Sequence, residues 1–187
     1  SIRVCRIDLD APMPELQIVH RYAHHPVADS DGTLRWDWDR LVAEMERGLD
    51  HARARGPLAS IGVDTWAIDY GLLDGNGELV EAPVSYRDQR TAGYRNVVER
   101  IGERRLYEIA GLQLMPINTI FQLAAHDRAA LARARHVVML PELLAYHLTG
   151  EVTAELTSAG STGLLDLDTG DWSAELLDAI DVPAQML

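Results

Sequence analysis

The stretch from Ile61 to Thr91 leaves the rest of the chain the fewest choices. A short apolar run, Leu58 to Val63, ends in Asp64 and Thr65. A buried strand delivers polar groups in this way to the edge of a sheet, where α/β proteins place their ligands. A second run, Tyr70 to Leu73, leads into Asp74-Gly75-Asn76-Gly77. Asp-Gly and Asn-Gly supply the positive φ that a tight hairpin needs, and Leu79 and Val80 resume as its return strand. Tyr86-Arg87-Asp88-Gln89-Arg90-Thr91 closes the unit with two guanidiniums beside one carboxylate.

Around that stretch the chain alternates strands and helices. Ile2 to Asp8 reads as a strand, Ala11-Pro12-Met13-Pro14 as a turn, and Leu16 to Tyr22 as its antiparallel partner. Asp37 can cap a helix in which Trp38, Leu41, Val42, Met45 and Leu49 form one apolar stripe, stopped by Gly56-Pro57. After Thr91 the pattern turns helical. Tyr94, Val97, Val98 and Ile101 share a face, Glu103 to Ala110 is a second helix, and Asn118 or Thr119 can cap a third. His136 to Leu140 is a buried strand, followed by a helix with Pro141 and Glu142 in its first turn and a stop at Gly150. Thr157-Ser158-Ala159 reads as a helix start packed on the sheet, Asp168-Thr169-Gly170 as a turn covered by Trp172, and Ser173 to Ile180 as a last helix.

Composition excludes several functions. At 187 residues the chain is long enough for one domain with a sizeable core. A net charge of −12 argues against nucleic acid or an anionic membrane as partner. The single cysteine, Cys5, rules out a disulfide within the chain and fits a reducing, cytoplasmic setting. No apolar run reaches the length of a membrane span. His20, His24 and His25 lie close in sequence, but no acidic or thiol ligand stands at helical spacing, and no metal is expected there.

Gly62-Val63-Asp64-Thr65-Trp66, Asp69 to Asp74 and Tyr86 to Thr91 together resemble the FGGY carbohydrate kinases, in particular their L-rhamnulokinase branch. Leu106-Tyr107, Gly111-Leu112-Gln113, Pro116 to Leu123 and Leu148-Thr149-Gly150 extend the resemblance over almost the whole chain. It implies an α/β fold, the ribonuclease H-like N-terminal domain of an actin/hexokinase-type sugar kinase, with a mixed sheet flanked by helices. Residues 1–187 would then be a partial N-terminal domain. The resemblance places the first strand with its Gly-rich phosphate turn ahead of Ser1, and the catalytic Asp and the adenosine-binding domain beyond Leu187. The implied activity is ATP- and Mg2+-dependent phosphorylation of a ketose, L-rhamnulose or a related deoxy-ketose. The partner is a small-molecule sugar, a homodimer stays open, and the chain alone would bind no cofactor and hold at most the sugar-facing wall. The competing readings are a non-catalytic sugar-binding or scaffold module and a two-metal hydrolase built on Asp8, Asp64 and Asp69.

Four residues are candidates for that wall. Asp64 can accept sugar hydroxyls or brace a turn through backbone amides. Trp66 offers a flat face for a sugar, or packs in the core. Ala67 stands where rhamnulokinases carry a glycine whose backbone meets the sugar, so its methyl group would narrow the site or change the preferred ketose. Arg90 can orient polar sugar groups. Asp69 reads as structural. Arg87, Asp88 and Arg90 can orient polar sugar groups or form an ion-pair knot holding the hairpin; the knot is the expectation for Arg87, and Arg90 stays open.

One expectation concerns the sheet. In the fold that the resemblance implies, the strand ahead of Ser1 lies between Ile2–Asp8 and Leu58–Val63; without it these two would face each other with unpaired backbone groups, which are costly when buried. Ile2–Asp8 is therefore predicted to be hydrogen-bonded on both sides, the second partner being Leu58–Val63 or another subunit.

Overall fold

The computed structural model describes residues 1–187 and is an α/β protein of two units, one of residues 1–27 and 36–62, the other of residues 28–35 and 63–187. No helix is long and apolar enough to cross a membrane.

In the first unit β1 (Ile2–Arg6) and β2 (Gln17–Tyr22) form an antiparallel hairpin with a bulge between Val4 and Cys5. Helix α1 (Trp38–Arg53) lies on both strands and buries Leu41, Val42, Met45 and Leu49, the stripe seen in the sequence. The Asp37 carboxylate accepts from the Arg40 amide at its N-terminus. Gly48 permits the close approach of β1: a Cβ there would lie 2.3 Å from Val4 Cγ2. The other end is closed by Arg6, whose Nη1 donates to Ala52 O and Gly56 O, each at 2.9 Å.

Leu58–Val63 forms no strand, and β1 has β2 as its only partner in this chain. The expected in-chain pairing of Ile2–Asp8 with Leu58–Val63 is therefore corrected. A strand exists only where a neighbour takes up its backbone groups, and residues 59–62 are instead exposed to water.

In the second unit β3 (Val27–Ala28), at the border between the units, and β4 (Leu34–Arg35) flank a turn in which the Asp29 amide donates to Thr33 O. Strand β5 (Tyr70–Leu73) is buried along its length. Asp74 accepts the amides of Asn76 and Glu78 and closes the predicted turn. The return run makes only a bridge, Leu73 to Leu79, and one further bond, from Val80 N to Leu72 O. The full antiparallel partner of β5 is β6 (His136–Met139), the second buried run in the sequence.

Helices α2 (Arg95–Ile101), α3 (Glu103–Ala110), α4 (Thr119–Ala124), α5 (Arg128–Arg133), α6 (Leu140–Thr149), α7 (Leu156–Ser161) and α8 (Ala174–Ala179) complete this unit, with the small pair β7 (Leu165–Asp166) and β8 (Asp171–Trp172). The sequence expects each of these helices but α5, and at β7–β8 it expects only the turn. The core gathers Tyr70, Leu106, Phe121, Leu123, Leu164 and Leu176. The β structure of the chain is distributed over four two-stranded pairs.

Candidate functional site

Residues 65–69 make a tight turn that runs directly into β5. Its centre is Ala67, at φ +32°, a conformation that disfavours residues with a side chain. Ile68 N–H closes the turn on Trp66 O at 2.6 Å. The Ala67 amide donates to Thr65 Oγ1 at 3.3 Å, a long bond that a better acceptor could replace.

Helices α4 and α7 hold this turn from beneath. Ser161 Oγ donates to Ala67 O at 2.7 Å. Ile68 O accepts from Thr119 Oγ1 at 2.9 Å and from Gln122 Nε2 at 3.0 Å. Asp69 is fully buried, with Oδ2 accepting from Trp66 Nε1 at 2.9 Å and from the Tyr86 amide at 3.2 Å, and Oδ1 accepting from Gln122 Nε2 at 3.1 Å. A carboxylate so surrounded by N–H donors stays satisfied away from water. The structural reading of Asp69 follows, and its oxygens are not open to a metal. The two-metal reading loses a ligand on that ground.

Trp66 is partly exposed, its indole N–H tied to Asp69. Arg90 is also partly exposed. Its Nη2 donates to Gln122 Oε1 at 2.7 Å, its Nη1 lies 3.3 Å from His126 Nδ1, and its guanidinium sits 5.8 Å from the centre of the Tyr70 ring. Asp64 is exposed and stands outside this network. Trp66, Ala67 and Arg90 are thus brought into one bonded assembly, and Asp64 is not. The concavity lined by His136, Met139, Glu155, Trp172 and Met186 includes none of the four.

The ion-pair knot with Asp88 expected of Arg87 is corrected. Asp88 uses its carboxylate on backbone amides, Leu34 N at 2.9 Å and Arg90 N at 2.8 Å, capping the short 3-10 helix Gln89–Gly93. Amides left without partners at a helix start take up the carboxylate. Arg87 is exposed and lies along Tyr86, its Nε 3.2 Å from the phenol oxygen.

Behind Arg90 the polar chain continues inward. Tyr70 Oη lies 2.8 Å from His126 Nδ1. A guanidinium can only donate, so with Arg90 beside it Nδ1 is the accepting nitrogen and Nε2 carries the hydrogen. That Nε2 is 3.1 Å from Glu81 Oε1, but bent away from good hydrogen-bond alignment. Arg35 also meets Glu81, with Nη1 at 2.8 Å from Oε1 and Nη2 donating to Oε2 at 3.4 Å, and its Nε donates to Asp29 Oδ2 at 2.6 Å. His126 and then Arg35 hold the Glu81 carboxyl down at about 2, against the effect of burial. Burial pushes the Tyr70 phenol above its usual range. Sequence reading missed Thr119, Gln122, His126 and Ser161. The one visible signal was a glutamine set among the apolar residues of α4.

Residues 15–187 match the FGGY family of carbohydrate kinases, N-terminal domain. The chain is 36% identical over 187 residues to a rhamnulokinase of Bacillus subtilis, covering 99% of this chain and 38% of that protein. It is 38% identical over 169 residues to a rhamnulokinase of Enterococcus faecalis, covering 89% of this chain and 34% of that protein. It therefore spans under two fifths of the length of these relatives. Among solved structures, a gluconate kinase from Lactobacillus acidophilus superposes with a TM-score of 0.78 at 18% identity, over 94% of this chain and 36% of that one. A glycerol kinase from Plasmodium falciparum with ADP gives a TM-score of 0.70 at 15% identity, over 89% of this chain and 37% of that one. At those identities the likeness is one of fold.

Proposed function

The chain belongs to the FGGY family of carbohydrate kinases, and from that premise we propose that it forms the sugar-facing part of a kinase that phosphorylates a ketose, L-rhamnulose or a related deoxy-ketose. The observation that carries the reading is the 36% identity to a rhamnulokinase over 187 residues. In such a reaction a sugar hydroxyl attacks the γ-phosphorus of ATP, the bond to ADP breaks, and the hydroxyl proton passes to a base.

This chain's share is to bind and orient the sugar. Trp66, partly exposed, meets the apolar side of the sugar, and the Ala67 amide exchanges its long bond to Thr65 for a sugar oxygen. Arg90 donates from its guanidinium, and Asp64 accepts hydroxyls from the exposed side. Orientation of this kind lowers the barrier by holding the attacking oxygen in line. No three His, Cys, Asp or Glu side chains are grouped so as to hold a metal. Mg2+ would neutralise the ATP phosphates, while these residues serve only to bind and orient the sugar. The kinase acts in the cytoplasm, in keeping with the one cysteine of these 187 residues, Cys5, which is unpaired.

The test is ATP-dependent phosphorylation of L-rhamnulose by the full-length protein and by residues 1–187 alone. Activity is expected in the first and not in the second. Trp66→Ala in the full-length enzyme should lower kcat/KM for the ketose at least about tenfold, with a smaller effect on stability. Phosphorylation by residues 1–187, or no phosphorylation of any ketose by the full-length protein, overturns the proposal.

A further inference from the structure

Gln122 is fully buried, and its amide joins parts of the chain that are far apart in sequence. Its Nε2 is within hydrogen-bond distance of Ile68 O at 3.0 Å, Asp69 Oδ1 at 3.1 Å and Ile117 O at 2.9 Å. Its Oε1 accepts from Arg90 Nη2 at 2.7 Å. Asp69 in turn holds the Trp66 indole at 2.9 Å. One side chain thus stands between the guanidinium of Arg90 and the turn that carries Trp66 and Ala67.

We infer that Gln122 is the positioning residue that locks Arg90 and the Trp66–Ala67 turn into one rigid unit, so that the polar and the stacking contact to a sugar are set together. The inference rests on the reading of those residues as the sugar-facing wall. A primary amide suits this place because it donates from one end and accepts at the other. A carboxylate could accept from Arg90 but would repel Asp69, and a methionine would fill the space and do neither. Arg90 has further support from His126 and the Tyr70 face, and Ile68 O from Thr119. Loss of Gln122 therefore uncouples the two arms and leaves each still attached to the fold. A network of this kind holds a site within the small tolerance that orientation requires.

The first experiment reads the indole N–H resonances of residues 1–187, which hold four tryptophans, with Trp66 assigned through Trp66→Phe. In Gln122→Met the Trp66 signal should shift or broaden while the other three stay in place. Arg90→Met, at a partly exposed residue, should move the same signal through Gln122, and it serves if Gln122→Met does not fold. A Trp66 signal unmoved in a folded Gln122→Met, or in Arg90→Met, overturns the inference. The second experiment is kinetic and uses the full-length kinase. Gln122→Met should raise KM for the ketose about tenfold and leave KM for ATP unchanged, whereas a mere loss of folded enzyme lowers kcat and moves neither KM. Equal changes in both KM values also overturn it. Absence of ketose phosphorylation in the unmutated enzyme would instead refute the proposed function, and the indole experiment would still decide whether the coupling exists.

Discussion

Ser161 Oγ donates to Ala67 O at 2.7 Å, so the last residue of α7, 94 positions away in sequence, holds the one strained residue of the candidate sugar wall. A side chain at positive φ costs about 1–2 kcal/mol, and such a conformation persists only where its surroundings fix it. Ala67→Gly removes that cost but adds about 0.5–1 kcal/mol of unfolded-chain entropy, so the net change in stability should be close to zero or favourable. Ala145→Gly, in the ordinary geometry of α6, should lose about 1 kcal/mol. Ser161→Ala should cost about 1 kcal/mol. Urea denaturation of the three variants checks the ranking, and a loss in Ala67→Gly equal to that in Ala145→Gly would contradict the strained reading.

Glu81 gives the fold an acid limb. Its carboxyl is held down at about 2, first through His126 and then Arg35, below its unfolded value. A depressed carboxyl contributes stability that is fully present above the unfolded pKa and is lost as pH falls through the folded one. The window therefore runs from about 4.5 down to about 2. Glu81→Gln should flatten the decline in stability across that window, measured as the urea midpoint against pH. An unchanged acid limb would mean that Arg35 and His126 do little for folding.

How much of this was legible in the sequence depends on how local the cause is. The β1–β2 hairpin and the apolar stripe of α1 follow from periodicity and turn residues within a few positions, and both stand in the structure. Leu58–Val63 has the composition of a strand, but a strand also needs a neighbour, and composition does not say whether one is there. In the candidate site, the unusual backbone of Ala67 was foreshadowed by the glycine of the resembling family. Gln122 was not foreseen, because its four contacts come from Ile68, Asp69, Arg90 and Ile117, and only the folded chain brings these to one place. The Arg87–Asp88 pair misled for the opposite reason. Adjacent opposite charges suggest an ion pair, whereas the carboxylate found unpartnered amides.

Gly48 is where helix propensity and packing oppose each other. Alanine would improve α1 by about 1 kcal/mol, but its Cβ would lie 2.3 Å from Val4 Cγ2 and 2.7 Å from Val4 Cβ. The second contact is to an atom fixed to the backbone of β1, so the strand itself must move, a change that costs about 1–3 kcal/mol in a packed core. Gly48→Ala should therefore destabilise the first unit. Adding Val4→Ala, which removes both γ carbons and leaves Cβ in place, should recover part of the loss. A stabilised Gly48→Ala in urea denaturation would show that β1 is not held against α1.

Tyr70 should give the fold its alkaline limb. Burial pushes its phenol pKa above the ordinary value of 10.0, and the hydroxyl stays within 2.8 Å of His126 Nδ1, which accepts a hydrogen that a phenolate would not have. The unfolded chain, by contrast, releases this proton once pH passes the ordinary value. For a group whose folded pKa is raised, the stabilisation is complete below the unfolded pKa and is lost as pH rises toward the folded one. Stability should fall above pH 10.0, and Tyr70→Phe should lessen that fall. At neutral pH the same variant should cost about 1 kcal/mol, because His126 Nδ1 keeps only the longer contact to Arg90 at 3.3 Å. The two effects have opposite signs, so plots of urea midpoint against pH for the two proteins should converge as the solution is made alkaline. Parallel plots would place the Tyr70 hydroxyl in water rather than in the core.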